Sequence, residues 1–155
     1  MRDVTRAAAA VISDSEGRVL LVQQSSGRRR WGLPGAHIGP RDLPVNAIVR
    51  EVRRETGMEI RVVDLLGLYH LTGALAGDDE ELPDVLTYAL RCELVSGEPV
   101  LNGRGRICDL GWYEPLALPE AITATAQAAL QDCGGGRSGV VRDLSRTVPH
   151  LSPRP

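Results

Sequence analysis

The chain contains no phenylalanine, and its aromatic content is two tryptophans and three tyrosines in 155 residues, so its core must be aliphatic. Lysine is absent as well: all eighteen basic residues are arginine. We read that as the coding bias of a GC-rich bacterial genome and not as phosphate recognition. Cysteine is scarce. Cys92, Cys108 and Cys133 are odd in number and far apart, which excludes a disulfide framework and a zinc-ligand pattern and favours structural thiols in a reducing cytoplasm. Long apolar runs are missing too. The basic start from Arg2 to Arg6 leads into an apolar run from Ala7 to Ile12 that is too short for export or for spanning a bilayer. Neither sign of charge dominates, with a net charge of −2 and 25% charged residues, so nothing in the balance demands a nucleic-acid duplex or a membrane. No internal repeat and no second domain is visible. The length is one domain's worth, sufficient to bury about two thirds of its surface.

What is present is an alternation of short strand signals with two helix signals. Residues 7–13 and 18–24 are apolar runs around Asp14-Ser15-Glu16-Gly17, a strand-turn-strand pattern. Ser25 to Arg30 is a polar loop ending in three arginines. Arg28 to Arg30 are positioned either to attract a polyphosphate or simply to be solvated, and the second reading is favoured. Trp31 reads as a packing residue in preference to a base-stacking platform. Residues 59–72 are apolar and interrupted at Gly67, giving one strand and the approach to another. His70 shows no partner at ligand spacing. Residues 84–95 alternate cleanly, with Leu86, Tyr88, Leu90, Cys92 and Leu94 on one side and Thr87, Arg91 and Glu93 on the other, which makes a strand. Residues 109–113 read as a short strand. Ile122, Ala126, Ala129 and Leu130 then mark a helix stopped by Gly134-Gly135-Gly136. Residues 137–155 are polar and read as a loosely docked C-terminal tail behind a single domain of residues 1–136.

The stretch from Trp31 to Glu59 carries the chemistry. Pro44 suits the first turn of a helix and Gly57 its left-handed end, leaving about three and a half turns between them. Val45, Ile48, Val49 and Val52 form one apolar stripe. At about 100° per residue, Glu55 and Glu51 lie roughly 70° and 110° from its centre on the same flank, so two acids one turn apart face one region. The ordinary reading of such acids is ion pairing with Arg50, Arg53 and Arg54 on a solvated face. The alternative is a metal site. The Gly/Pro-rich lead-in from Gly32 to Pro40 reads as a loop folding back over that flank, and acids with backbone carbonyls are the donors that Mg²⁺ or Mn²⁺ accepts.

Residues 35–58 resemble the Nudix box of the Nudix hydrolases. That motif is a glycine, a glutamate six residues on and, after seven more, Arg-Glu-aliphatic-any-Glu-Glu-any-Gly-aliphatic. Here its end reads Arg50, Glu51, Val52, Arg53, Arg54, Glu55, Thr56, Gly57, Met58, and Leu33-Pro34-Gly35 with His37 is similar to the family's lead-in. Three positions depart from it. Ala36 stands for the first glycine, Asp42 for the first glutamate, and Arg54 for the first acid of the Glu-Glu pair. The resemblance implies an α/β fold, the Nudix-type α/β/α sandwich with a mixed β-sheet between helices. It also implies metal ligands at Glu51, Glu55 and the Gly35 carbonyl.

Arg54 is the departure with the largest physical consequence. A cation about 5 Å from a divalent ion at an effective dielectric near 20 is repelled by roughly 6 to 7 kcal/mol, unless its side chain swings into solvent. The expectation is one weak metal site in place of a cluster, or no productive site. Glu80 or Glu81, in the acidic run after Gly77, has two readings: solvated surface, or a replacement for the missing acid.

The function implied by the resemblance is metal-dependent hydrolysis of a nucleoside diphosphate linked to another moiety, with Mg²⁺ (or Mn²⁺) as cofactor and water as nucleophile. Glu51 or an acidic loop residue would take the proton, and Arg50 would orient the neighbouring carboxylate. The alternative is a Nudix-fold domain that binds a nucleotide or a protein without hydrolysing anything. Either way the expected partner is a nucleotide or other small diphosphate, with no duplex and no membrane. The expected location is the bacterial cytoplasm, and a homodimer is the assembly many relatives adopt.

Overall fold

A computed structural model describes residues 4–72, 83–102 and 105–146. Two helices flank a mixed sheet of eight strands. The strands are β1 (Val4–Ser13), β2 (Val19–Gln24), β3 (Trp31–Gly32), β4 (Gly35–His37), β5 (Glu59–Thr72), β6 (Asp84–Ser96), β7 (Ile107–Tyr113) and β8 (Val140–Ser145), and the helices are α1 (Pro44–Thr56) and α2 (Ala124–Gly134). The central path runs β3-β2-β1-β6-β5-β8, with β4 added to β1 and β7 to β2. β1 lies parallel to β6 along its whole length, and β8 lies parallel to β5; the other pairings are antiparallel.

The period of two in β1 produces the layers. Ala8, Ala10 and Ile12 point to one face, where they meet Ile48 and Val52 of α1, and Val11 points to the other, where it meets Ala129 and Leu130 of α2. β2 repeats the division, with Leu20 on the α1 side and Val19 and Leu21 on the α2 side. Each helix therefore covers one face of the sheet, which is the α/β/α sandwich expected from the sequence. The side chains that fill both layers are mainly aliphatic, as the absence of phenylalanine requires.

Helix α1 begins and ends where its punctuation predicts. Leu43 is extended, Pro44 occupies the first turn, and Gly57 closes the helix at φ 76° with its N–H on the Arg53 carbonyl. Ile48 and Val52 of the expected apolar stripe are inside and Val49 packs against the core, but Val45 is not. Val45 is 43% exposed, whereas Ala47, Ile48, Val52, Glu55 and Thr56 are buried. The buried face is thus turned by about 45° from the stripe's centre and carries Glu55 within about 30° of its middle. Ala47 lies in the same core cluster as Ala8, Ala10 and Ala36, and small side chains of this kind give the helix room to approach the sheet on that side.

Three further expectations are corrected. The lead-in before α1 is not all loop, because Trp31–Gly32 and Gly35–His37 each pair with the sheet. Residues 59–72 form one continuous strand, with an irregularity in pairing between Leu65 and Gly67 in place of a break. Residues 140–145, read as part of a loose tail, are strand β8 on the sheet edge. That edge is fixed by Asp132 of α2. Its buried carboxylate accepts hydrogen bonds from Tyr69 Oη at 2.8 Å and from Arg142 Nη2 at 2.6 Å, so that α2, β5 and β8 are joined at one group. The Arg142 guanidinium holds the Asp132 carboxyl down at about 2.

Candidate functional site

On one edge β1 is paired with β6 throughout. On the other, β2 meets it only at Ser13↔Val19, and β4 takes over at Ala7↔His37, Ala8↔Ala36 and Ala9↔Gly35. A cleft of about 280 Å³ opens beside this change of partner. Leu33 and His37 line it together with Ala7, Ala8, Ala9, Gly32, Gly35 and Ala36, and the small side chains of the alanines and glycines leave the space that larger ones would fill. Thr87 of β6, the Thr123–Ala126 turn that starts α2, Gln24, Arg106 and Glu55 complete the lining.

Glu55 reaches this cleft because of the rotation of α1. Its carboxylate is buried and interacts with that of Glu51, one turn earlier. Burial, reinforced by the Glu51 charge, raises the Glu55 carboxyl above the usual carboxylate range. Glu51 is shifted the other way by the Arg54 guanidinium hydrogen-bonded to it. Arg54 holds Glu51 through two nitrogens, Nε at 3.1 Å from Oε1 and Nη2 on Oε2, and the same Nη2 stands 4.0 Å from Glu55 Oε2. Arg106 Nη2 approaches Glu51 Oε2 at 3.9 Å from the opposite loop. That loop comes close because residue 105 is glycine: a Cβ there would stand 3.0 Å from Glu55 Oε2. Asn102 Nδ2 on the Arg54 carbonyl, at 2.9 Å, ties the same loop to the end of the helix.

The two acids predicted to face one region therefore do so, and the intruding arginine is on them and not in solvent. Arg50 goes elsewhere. Its Nη2 lies 3.3 Å from Asp42 Oδ2, which also accepts the Gly39 N–H at 3.1 Å. The pair fastens the turn between β4 and α1, so the contact assigned to Arg50 at the neighbouring carboxylate is made by Arg54. Gly35 lines the cleft with Glu55. Arg29 is directed to Cys108 Sγ at 3.3 Å. Trp31 packs edge-to-face on Tyr113 with ring centroids 5.2 Å apart, the packing role expected of it. His70 has partners that its sequence neighbours did not reveal, Asp84 and Asp143, each at 3.3 Å. Glu80 and Glu81 lie outside the described residues. Arg106 was missed. Its only signal is a position after Asn102-Gly103-Arg104-Gly105, which marks a turn but not what the turn covers.

The donors fit one divalent ion. Two carboxylates in mutual contact at a cleft edge, one of them buried against its own charge, form a site whose repulsion a cation relieves. Oxygen is the donor type that Mg²⁺ and Mn²⁺ prefer, and Mg²⁺ is commonly held by one or two carboxylates with water filling the remaining positions. Among the described residues no third His, Cys, Asp or Glu joins the pair to make a larger cluster.

Comparison with known proteins identifies a family. A family model described as NUDIX domain matches residues 3–133. A MutT-like protein of Streptomyces ambofaciens is 26% identical over 145 residues, covering 94% of this chain and 85% of that one. The human diphosphoinositol polyphosphate phosphohydrolase 3-alpha is 40% identical over 57 residues, which is 37% of this chain and 35% of its own length. Among solved structures, the MutT NUDIX hydrolase of Burkholderia pseudomallei superposes with a TM-score of 0.72 at 25% identity, over 84% of this chain and 98% of that one.

Proposed function

The chain belongs to the NUDIX family, and from that premise we propose that it hydrolyses a small diphosphate linked to another moiety, a nucleotide being one such compound. One Mg²⁺ or Mn²⁺ ion is held by Glu51, Glu55 and the Gly35 carbonyl. The observation that carries this reading is the buried Glu55 carboxylate set against Glu51 at the edge of the cleft. When bound, the ion supplies neutralisation of the charge developing on the phosphoryl oxygens and a lowered pKa for a coordinated water.

The side chains divide the remaining work. Glu55 is the fixed ligand, placed by the helix face. Glu51 accepts the proton of the attacking water on one carboxylate oxygen once the Arg54 guanidinium has released it. Arg106, exposed at the cleft mouth, attracts the phosphate groups, and the Arg50–Asp42 pair is a positioning device for the turn that joins β4, which carries Gly35, to α1. This reading assigns the protein to the bacterial cytoplasm and admits a homodimer. No helix among the described residues is long and apolar enough to cross a membrane.

A second reading, binding of a nucleotide or protein without turnover, draws on the grip of Arg54 on Glu51. Chromatographic analysis of the nucleotide products formed from a panel of nucleoside triphosphates, ADP-ribose and dinucleoside polyphosphates with Mg²⁺ or Mn²⁺ separates the two. Turnover that disappears in Glu55→Gln supports the hydrolase. An inert native protein that gains activity as Arg54→Glu establishes the binder.

A further inference from the structure

Two guanidiniums converge on one carboxylate oxygen. Arg54 Nη2 hydrogen-bonds Glu51 Oε2, and Arg106 Nη2 stands 3.9 Å from the same atom, the first arriving from α1 and the second from the opposite loop. The ion pairs of Arg54 are with Glu51 and Glu55, and that of Arg106 is with Glu51. Both arginine side chains are more than half exposed, whereas both glutamate side chains are mostly buried. The acids are held in place and the arginines can turn. Asn102 fixes the Arg54 carbonyl at 2.9 Å, so the backbone of residue 54 stays where it is while its side chain changes partner.

Charge gives that change a direction. With both acids ionised, two carboxylates and two guanidiniums cancel. A divalent cation on the carboxylates takes the partner of both arginines and leaves two positive charges in excess. The excess faces the cleft, which Arg106 and Glu55 both line. A diphosphate there carries the charge that restores neutrality, and its oxygens match the guanidinium fork as a carboxylate does. Arg54 already uses that fork on Glu51, through Nε and Nη2.

We infer that Arg54 and Arg106 are an exchangeable pair, partners of Glu51 in the metal-free protein and of the substrate's diphosphate once a cation holds the carboxylates. At the motif position where Arg54 replaces an acid, the guanidinium brings to the phosphate the positive charge that a further ion on that acid would have brought. Cation and diphosphate then strengthen each other's binding, because both act on the same two side chains. The inference rests on the reading of Glu51 and Glu55 as the metal ligands.

Two binding measurements test it. Electron paramagnetic resonance follows Mn²⁺ on the protein alone, and calorimetry follows methylenediphosphonate, a diphosphate analogue that resists hydrolysis, titrated into protein saturated with Mn²⁺. Complexation of Mn²⁺ in solution is common to all variants and cancels in their ratios. Arg54→Gln should bind Mn²⁺ alone about five- to twelvefold more tightly, yet bind methylenediphosphonate in Mn²⁺ about tenfold more weakly. Arg106→Gln should also lose affinity for methylenediphosphonate, and Arg54→Lys, which keeps the charge without the fork, should recover only part of the loss. Methylenediphosphonate affinity within about twofold of native in Arg54→Gln means that the side chain goes to solvent, and overturns the exchange while the metal site stands. Weakening of both affinities in Arg54→Gln makes the residue structural and overturns the exchange as well. Mn²⁺ binding that survives Glu55→Gln undiminished removes the metal from this pair, and the exchange and the hydrolase reading fail together.

Discussion

In the proposed reading Arg54 competes with a cation for the carboxylate pair, and its replacement measures by how much. Held on Glu51 and 4.0 Å from Glu55 Oε2, the guanidinium would stand about 5 Å from a divalent ion, where an effective dielectric near 20 gives a repulsion of roughly 6 to 7 kcal/mol. That figure is an upper limit, because the side chain is 51% exposed and has a cheaper way out. Rotating into solvent sacrifices an exposed ion pair worth at most about 1 kcal/mol, and at about 10 Å the screened residual repulsion is only about 0.3 kcal/mol. The system takes the cheaper route. Arg54→Gln should therefore tighten Mn²⁺ binding by about 1 to 1.5 kcal/mol, or five- to twelvefold, followed by the loss of the free-ion signal in electron paramagnetic resonance. Arg54→Glu should tighten it further by adding a ligand. The fold is not at stake, since the contact of Asn102 with residue 54 is to its backbone carbonyl. Unchanged or weaker Mn²⁺ binding in Arg54→Gln would refute the competition, and a gain above about a thousandfold would show that the guanidinium cannot leave.

Three other substitutions test the frame around the site. Burial raises the Glu55 carboxyl, so the folded protein retains a proton that the unfolded chain releases, and stability falls as pH rises from the ordinary value of 4.5 through the raised one. Glu55→Gln should accordingly melt a few degrees above the native protein at pH 8 and level with it at pH 4, while losing Mn²⁺ binding; a lower melting temperature at pH 8 would contradict the buried charge. Asp132→Asn leaves Arg142 and Tyr69 facing a neutral amide and should cost about 2 to 3 kcal/mol in urea unfolding. Because Asp132 is held at about 2, its contribution is complete above 3.8 and is lost as pH falls toward 2, so the native protein should weaken in that window and the variant should not. In Gly67→Ala the new Cβ would lie 2.7 Å from the Val140 carbonyl oxygen. Such overpacking should cost about 1 to 3 kcal/mol and speed amide exchange in β8 above all, and protection equal to the native protein's would mean that β8 does not press on this position.

What could be read in the sequence was what is written locally. The limits of α1 are set by Pro44 and Gly57 acting on their own backbone, and the strand at Asp84–Ser96 by alternation within one segment. β8 escaped because its burial is slight: Val141 is 74% exposed, and what holds the strand is a pairing with β5 and an arginine on Asp132, neither visible in residues 140–145 themselves. β3 and β4 escaped because two or three residues carry no period. The site shows the same division. Glu51, Arg54 and Glu55 were legible as charges one turn or less apart, but which of them would be buried depends on how α1 is rotated against the sheet. A valine count placed Val45 inward; α1 is turned the other way, with Ala47 in the core cluster of Ala8, Ala10 and Ala36 and Glu55 inside. That rotation gives the pair its asymmetry, with one carboxylate pushed up by burial and the other held down by Arg54. Two acids with identical side chains thus stand in different environments, and the difference comes from how α1 is rotated against the sheet.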